Sequence, residues 1–91
     1  MRVALEAVQY LGNPQPGVVE AYLTDARGFR WQVVEKTVMF HEWSELNAET
    51  TFPRTVSLEC RISSDHGGPT ISIWLPEVSD RTYEVPRDDI S

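Results

Sequence analysis

"TVSLECRIS", residues 55–63, places Val56, Leu58, Cys60 and Ile62 on one side of an extended chain and Ser57, Glu59 and Arg61 on the other. Successive side chains of a strand leave opposite faces, so the alternation predicts a half-buried β-strand with those four apolar groups in a core. The next apolar run behaves the same way. Residues 70–75, "TISIWL", put Ile71, Ile73 and Leu75 on the core face and turn Trp74 outward. "SSDHGGP" between the two runs reads as a hairpin turn, because glycine and proline break the ladder there.

Upstream, residues 2–11 carry Val3, Leu5 and Ala7 on one face, and residues 18–25 carry Val19, Ala21 and Leu23 inward with Glu20, Tyr22 and Thr24 on the other side. "GNPQPG", residues 12–17, separates them, its prolines lacking donors and its glycines permitting positive φ. "TDARGFRW" then reads as a tight hairpin: Asp25 accepts from backbone amides ahead of it, Gly28 takes the left-handed conformation, and the charges face water. Residues 30–40 form a third strand whose parity changes. Trp31 and Val33 share a face, whereas Val34, Val38 and Phe40 share the other, which predicts a β-bulge or bend near Val33 and Val34.

Residues 41–54 lose the alternation, and Ser44 is placed to cap one helical turn through Leu46 and Ala48. Residues 76–81 read as a loop, 82–85 as a short last strand and "PRDDIS" as a final turn. About six strands and little helix imply one all-β domain over residues 1–91, a small antiparallel barrel or sandwich with an SH3-like barrel the preferred form.

The chain has 91 residues, 41% of them hydrophobic and 24% charged, which is the mixture of a globular domain with a single core. Eight basic and 14 acidic residues give a formal charge of −6, and no Lys/Arg cluster exists to displace counterions from a phosphate backbone. Direct nucleic-acid binding is therefore not expected, and a basic protein partner is. At this size a homodimer or partner that covers apolar area adds stability. Cys60 is the only cysteine, so no internal disulfide forms. "MRVALEAVQYLG" is interrupted by Glu6 and Gln9, unlike a signal peptide's apolar core, and no run approaches the ~20 apolar residues of a membrane helix. A cytoplasmic location is the resulting expectation.

Catalytic chemistry has few candidates. "HEWSE", residues 41–45, starts like a zinc-protease helix, but Glu45 stands where the second imidazole is needed. Cys60 lies on the inward parity between Leu58 and Ile62, where a thiol acts as a small hydrophobe rather than a nucleophile. His66 falls in a Gly-rich turn, and "DHGGP" lacks the Lys-Ser/Thr and following helix of a phosphate cradle. Asp88 and Asp89 are neighbouring acids in a polar segment, a pattern that is normally solvated. No catalytic set, cofactor or metal is expected from these residues.

A surface remains. Trp74, Tyr22 and Trp43, with the acids Glu20, Glu42 and Glu45, form the candidate recognition patch for a partner, since Trp and Tyr anchor interfaces disproportionately.

The succession Gly17-x-Val19-Glu20-Ala21-x-Leu23-x-Asp25-Ala26-x-Gly28-x-x-Trp31-x-x-x-Glu35-Lys36, with residues 46–53 and a closing Tyr83-Glu84-Val85, resembles small bacterial proteins of unassigned function. The resemblance covers most of the chain, departs from the pattern over residues 65–80, and implies a small β domain without a catalytic set. Asp25, Gly28, Glu35 and Lys36 match as pattern residues only. Small acidic bacterial proteins include toxin-neutralising immunity proteins, an analogy of type. The expected function is a non-enzymatic protein-binding domain, an acidic inhibitor or immunity protein. The alternatives are a small-ligand or metal-dependent hydrolytic protein using His41, Glu42 and Glu45, and an acidic mimic of nucleic acid.

Overall fold

The structure is a computed structural model that describes residues 1–12 and 17–91. The turn expected of Pro14 and Pro16 lies outside the described residues. Among the described residues seven strands form two antiparallel sheets: β1 (Arg2–Leu11), β2 (Val18–Thr24), β3 (Arg30–Lys36), β4 (Arg54–Glu59), β5 (Arg61–Ser64), β6 (Thr70–Trp74) and β7 (Thr82–Pro86). The first sheet runs β3-β2-β1-β4 and the second β5-β6-β7. The all-β expectation holds, with seven strands in place of six and two sheets that do not close into one barrel.

The stretch 55–63 explains the difference. Its extended backbone pairs with β1 as far as Glu59, the Cys60 amide bonds to the Met1 carbonyl at 2.9 Å, and from Arg61 onward the partner is β6 in the other sheet. One run of chain thus serves both sheets, the corner device of small sandwiches. Val56, Leu58 and Cys60 are buried as predicted. Ile62 is not: it sits on the outer strand β5, whose register slips between Ile62 and Ser64, and it stays 46% exposed.

Phe40 and the inward residues of both sheets pack as one buried cluster that includes Val3, Leu23, Leu58, Ile73 and Val85. The second parity break also has a different cause from the one predicted. β3 pairs with β2 without interruption through Val33 and Val34, and a 3₁₀ turn over Thr37–Met39 resets the count. Three residues per turn replace the alternation, so Phe40 enters the core while Val38 remains outside, and the two do not share a face. The bulge is instead in β1, between Ala7 and Gln9, which sends Gln9 to the outer side opposite Glu20 and Tyr10 opposite Val19.

Phe40 bridges to Leu58, and the His41 amide donates to the Ser57 carbonyl at 3.0 Å, so this crossing segment covers the outer edge of β4. The short turn that follows is Trp43–Glu45, with Glu42 at its start and no side-chain cap; Ser44 lies inside it rather than capping it. The closing turn becomes a 3₁₀ turn over Arg87–Asp89, after which Ile90 bridges to Val3 beside β1. No helix among the described residues is long and apolar enough to cross a membrane.

Candidate functional site

Trp74 is the last residue of β6, and the alternation that buries Ile73 and Leu75 leaves its indole outward, 41% exposed. The chain then turns sharply. The Val78 and Ser79 amides both donate to the Leu75 carbonyl at 3.2 Å, Pro76 supplies a fixed φ, and Glu77 takes φ +65°, a conformation that favours glycine. The Tyr83 hydroxyl donates to the Ser79 hydroxyl at 3.0 Å and pins the rest of the loop. Around the indole this produces an open recess of about 370 Å³ lined by Glu77, Val78, Ser79 and Asp80. Neither Glu77 nor Asp80 has an ion-pair partner among the described residues. The Arg61 guanidinium lies 5.9 Å from the centre of the Trp74 ring.

Glu77 also lines a second recess, of about 460 Å³, with Val18, Val34, Glu35, Lys36 and Met39. Met39 in turn lines a third, with Val38, His41 and Trp43. The exposed apolar groups Trp74, Val34, Val38 and Trp43 therefore border neighbouring recesses that share Glu77 and Met39.

A left-handed φ at a residue with a Cβ costs on the order of 1 kcal/mol, which glycine does not incur. Glu77→Gly should raise stability by about 0.5–1 kcal/mol in urea unfolding, provided the turn is kept. An unchanged or lower midpoint would mean that the Glu77 side chain contributes to the fold.

The other predicted site residues are placed elsewhere. Tyr22 is outward on β2 but half-buried and engaged. Its hydroxyl donates to the Glu20 carboxylate at 2.7 Å, and the Arg30 guanidinium stands 4.4 Å from its ring centre. Gln9 and Gln32 also donate to Glu20, and these bonds, Gln9's first, hold its carboxyl below the usual carboxylate range. The same Glu20 bond pushes the Tyr22 hydroxyl up.

Glu42 accepts from the Ser57 amide at 2.7 Å and from its hydroxyl at 2.8 Å, tying the 41–54 segment to β4. Glu45 pairs with Arg54 at 3.2 Å. His41 and His66 are exposed, whereas Cys60 is 1% exposed, and burial pushes its thiol up. No group of three or more His, Cys, Asp and Glu residues among the described residues is arranged to hold a metal ion.

Asp25 does more than the turn required. One carboxylate oxygen accepts the Arg27 and Phe29 amides at 2.9 and 3.0 Å, as predicted, and Gly28 has φ +85°. The other oxygen accepts the Trp31 indole N–H at 3.0 Å. That bond comes first among the causes that hold the Asp25 carboxyl below its ordinary range. Trp31 meets Tyr83 edge-on at 5.7 Å and the Arg81 guanidinium at 4.1 Å, and the Ala26 amide donates to the Glu84 carbonyl at 2.8 Å. The charged hairpin is thus a clasp between the sheets, and only part of its charge faces water. Asp25, Gly28 and Trp31 were visible in sequence, but the contact to β7 was not.

A second fork holds the 65–69 turn. Arg87 donates to both oxygens of Asp65 and to the Gly68 carbonyl, and its bond to Asp65 holds that carboxyl down at about 2. No family model, curated protein or solved structure matches this chain.

Proposed function

We propose that the chain is a non-enzymatic protein-binding domain whose partner docks over Trp74 and the adjoining recess. The carrying observation is an exposed indole, rooted in a rigid strand, beside two unpartnered carboxylates and an apolar hollow that reaches Val34. Aromatic anchors surrounded by polar rims are the usual energetic centres of interfaces. Glu77 adds support, since its carboxylate is held at the junction of two recesses in a conformation glycine would adopt more readily.

Carboxylates at Glu77 and Asp80 and a formal charge of −6 favour a basic partner, in keeping with an acidic inhibitor or immunity protein acting in the cytoplasm. The bent run 54–64, shared by two small sheets, supports an SH3-like, incompletely closed scaffold for this docking. Tyr22, Glu20, Glu42 and Glu45 serve the fold in this reading, and Trp43 extends the docking surface.

Affinity capture from the native host with wild type, Trp74→Ala and Tyr22→Ala tests the proposal. Truncating a central aromatic anchor costs about 2 kcal/mol or more in affinity, roughly thirtyfold, so Trp74→Ala should lose a partner that Tyr22→Ala retains. Equal recovery by Trp74→Ala would refute the assignment.

A further inference from the structure

The two sheets have four edges, and three of them are blunted. β4 is covered by Phe40 and His41, and its Ser57 amide is taken by Glu42. β7 gives its Glu84 carbonyl to Ala26 and ends in Pro86, which has no donor. β5 is four residues long, and its register is broken. These are the usual defences of an edge strand.

β3 is defended by charge alone, through Arg30, Glu35 and Lys36, and has neither cover nor a break in its ladder. It is seven residues long, in continuous register with β2, and contains neither bulge nor proline. Hydrogen-bonded and non-bonded pairs alternate along an antiparallel ladder. The Asp25 amide bonds to the Phe29 carbonyl and the Thr37 amide to the Gly17 carbonyl, which fixes the phase at both ends. Residues 31, 33 and 35 therefore face β2, and the amides and carbonyls of Arg30, Gln32 and Val34, with the Lys36 amide, point away from the sheet, while the Lys36 carbonyl belongs to the 3₁₀ turn that follows. Among the described residues no strand lies beside them.

We infer that this edge receives an extended segment of the partner protein as an added strand, apolar beside Val34 and acidic beside Lys36. The inference rests on the protein-binding reading and adds the mode of attachment. Outward donors and acceptors match an extended backbone, and the hollow at the end of β3, lined by Val18, Val34 and Met39 together with Glu35, Lys36 and Glu77, receives an apolar side chain. Lys36 shares that hollow with Glu35 and Glu77 but forms no ion pair among the described residues, so a carboxylate directly opposite it on the added strand is favoured. A second copy is the poorer occupant. Two β3 strands paired about Val33 would set Arg30 against Lys36 twice.

The test is an NMR titration with the heptapeptide acetyl-Glu-Thr-Val-Thr-Thr-Thr-Glu-amide, and with the same peptide N-methylated at its third and fifth residues. The unmodified peptide should shift the amide signals of Arg30, Gln32, Val34 and Lys36, and N-methylation should weaken binding by about tenfold or more through lost backbone bonds. Val34→Pro removes an outward amide and a side chain of the hollow while sparing the ladder to β2, so it should fold and lose the peptide, whereas Val34→Ala, which keeps the amide, should lose less. Equal binding of both peptides, shifts elsewhere, or no binding would overturn the inference. So would self-association of the concentrated protein through these amides, which would assign the edge to a second copy. Peptide failure alongside a Trp74→Ala capture defect would refute the added strand alone, whereas peptide binding without that defect would refute docking at Trp74 alone.

Discussion

Phe40→Ala should cost about 3–5 kcal/mol in urea unfolding, a large share of the total stability of a domain this small. Phe40 is 1% exposed and is the largest side chain buried so completely. Its removal leaves a cavity between the crossing segment and β4, and the same residue's backbone bridges to Leu58. The transfer loss and the cavity therefore fall where chain 37–42 is clamped to the sheet. Val38→Ala is the internal control. Two positions away and 58% exposed, Val38 should change stability by no more than about 0.5 kcal/mol. Similar costs for the two variants would show that the 3₁₀ turn does not set their orientations as described.

Cys60 should resist a thiol reagent in the native protein and react freely in urea, with rates differing by at least about a thousandfold, because modification waits on opening of the fold. Its sulfur lies where the chain leaves one sheet for the other, and burial favours the neutral thiol. The pH dependence follows in sign. The unfolded chain ionises near the ordinary value of 9.0 while the folded thiol ionises only at higher pH, so this group's contribution to stability is present below that pH and falls above it. Cys60→Ala should remove that part of the alkaline slope. Rapid native labelling would mean an open thiol and would return nucleophilic chemistry to consideration.

Sequence alternation identifies which side chains share a face and is silent on which strand lies alongside. Residues 55–63 therefore read as a single strand, and the change of partner at Cys60 and the exposure of Ile62 passed unseen. A bulge and a 3₁₀ turn both shift parity by one, so residues 30–40 were legible as interrupted without revealing Thr37–Met39 as the cause. The inward residues of β2 and β6, and with them the outward Trp74, followed directly from a regular pattern. Tyr22 was outward as read, yet its engagement by Arg30 depends on β3 meeting β2 in register, as the engagement of its same-strand partner Glu20 by Gln9 depends on β1. Glu77 carried no signal, because proline at the second position of a turn normally precedes glycine or asparagine in this conformation.

Amide hydrogen exchange of the protein bound to its captured partner tests docking over Trp74 most directly. Protection is expected across residues 74–80 and around Val34. Protection confined to the Glu20 and Tyr22 face, or to residues 41–45, would contradict it.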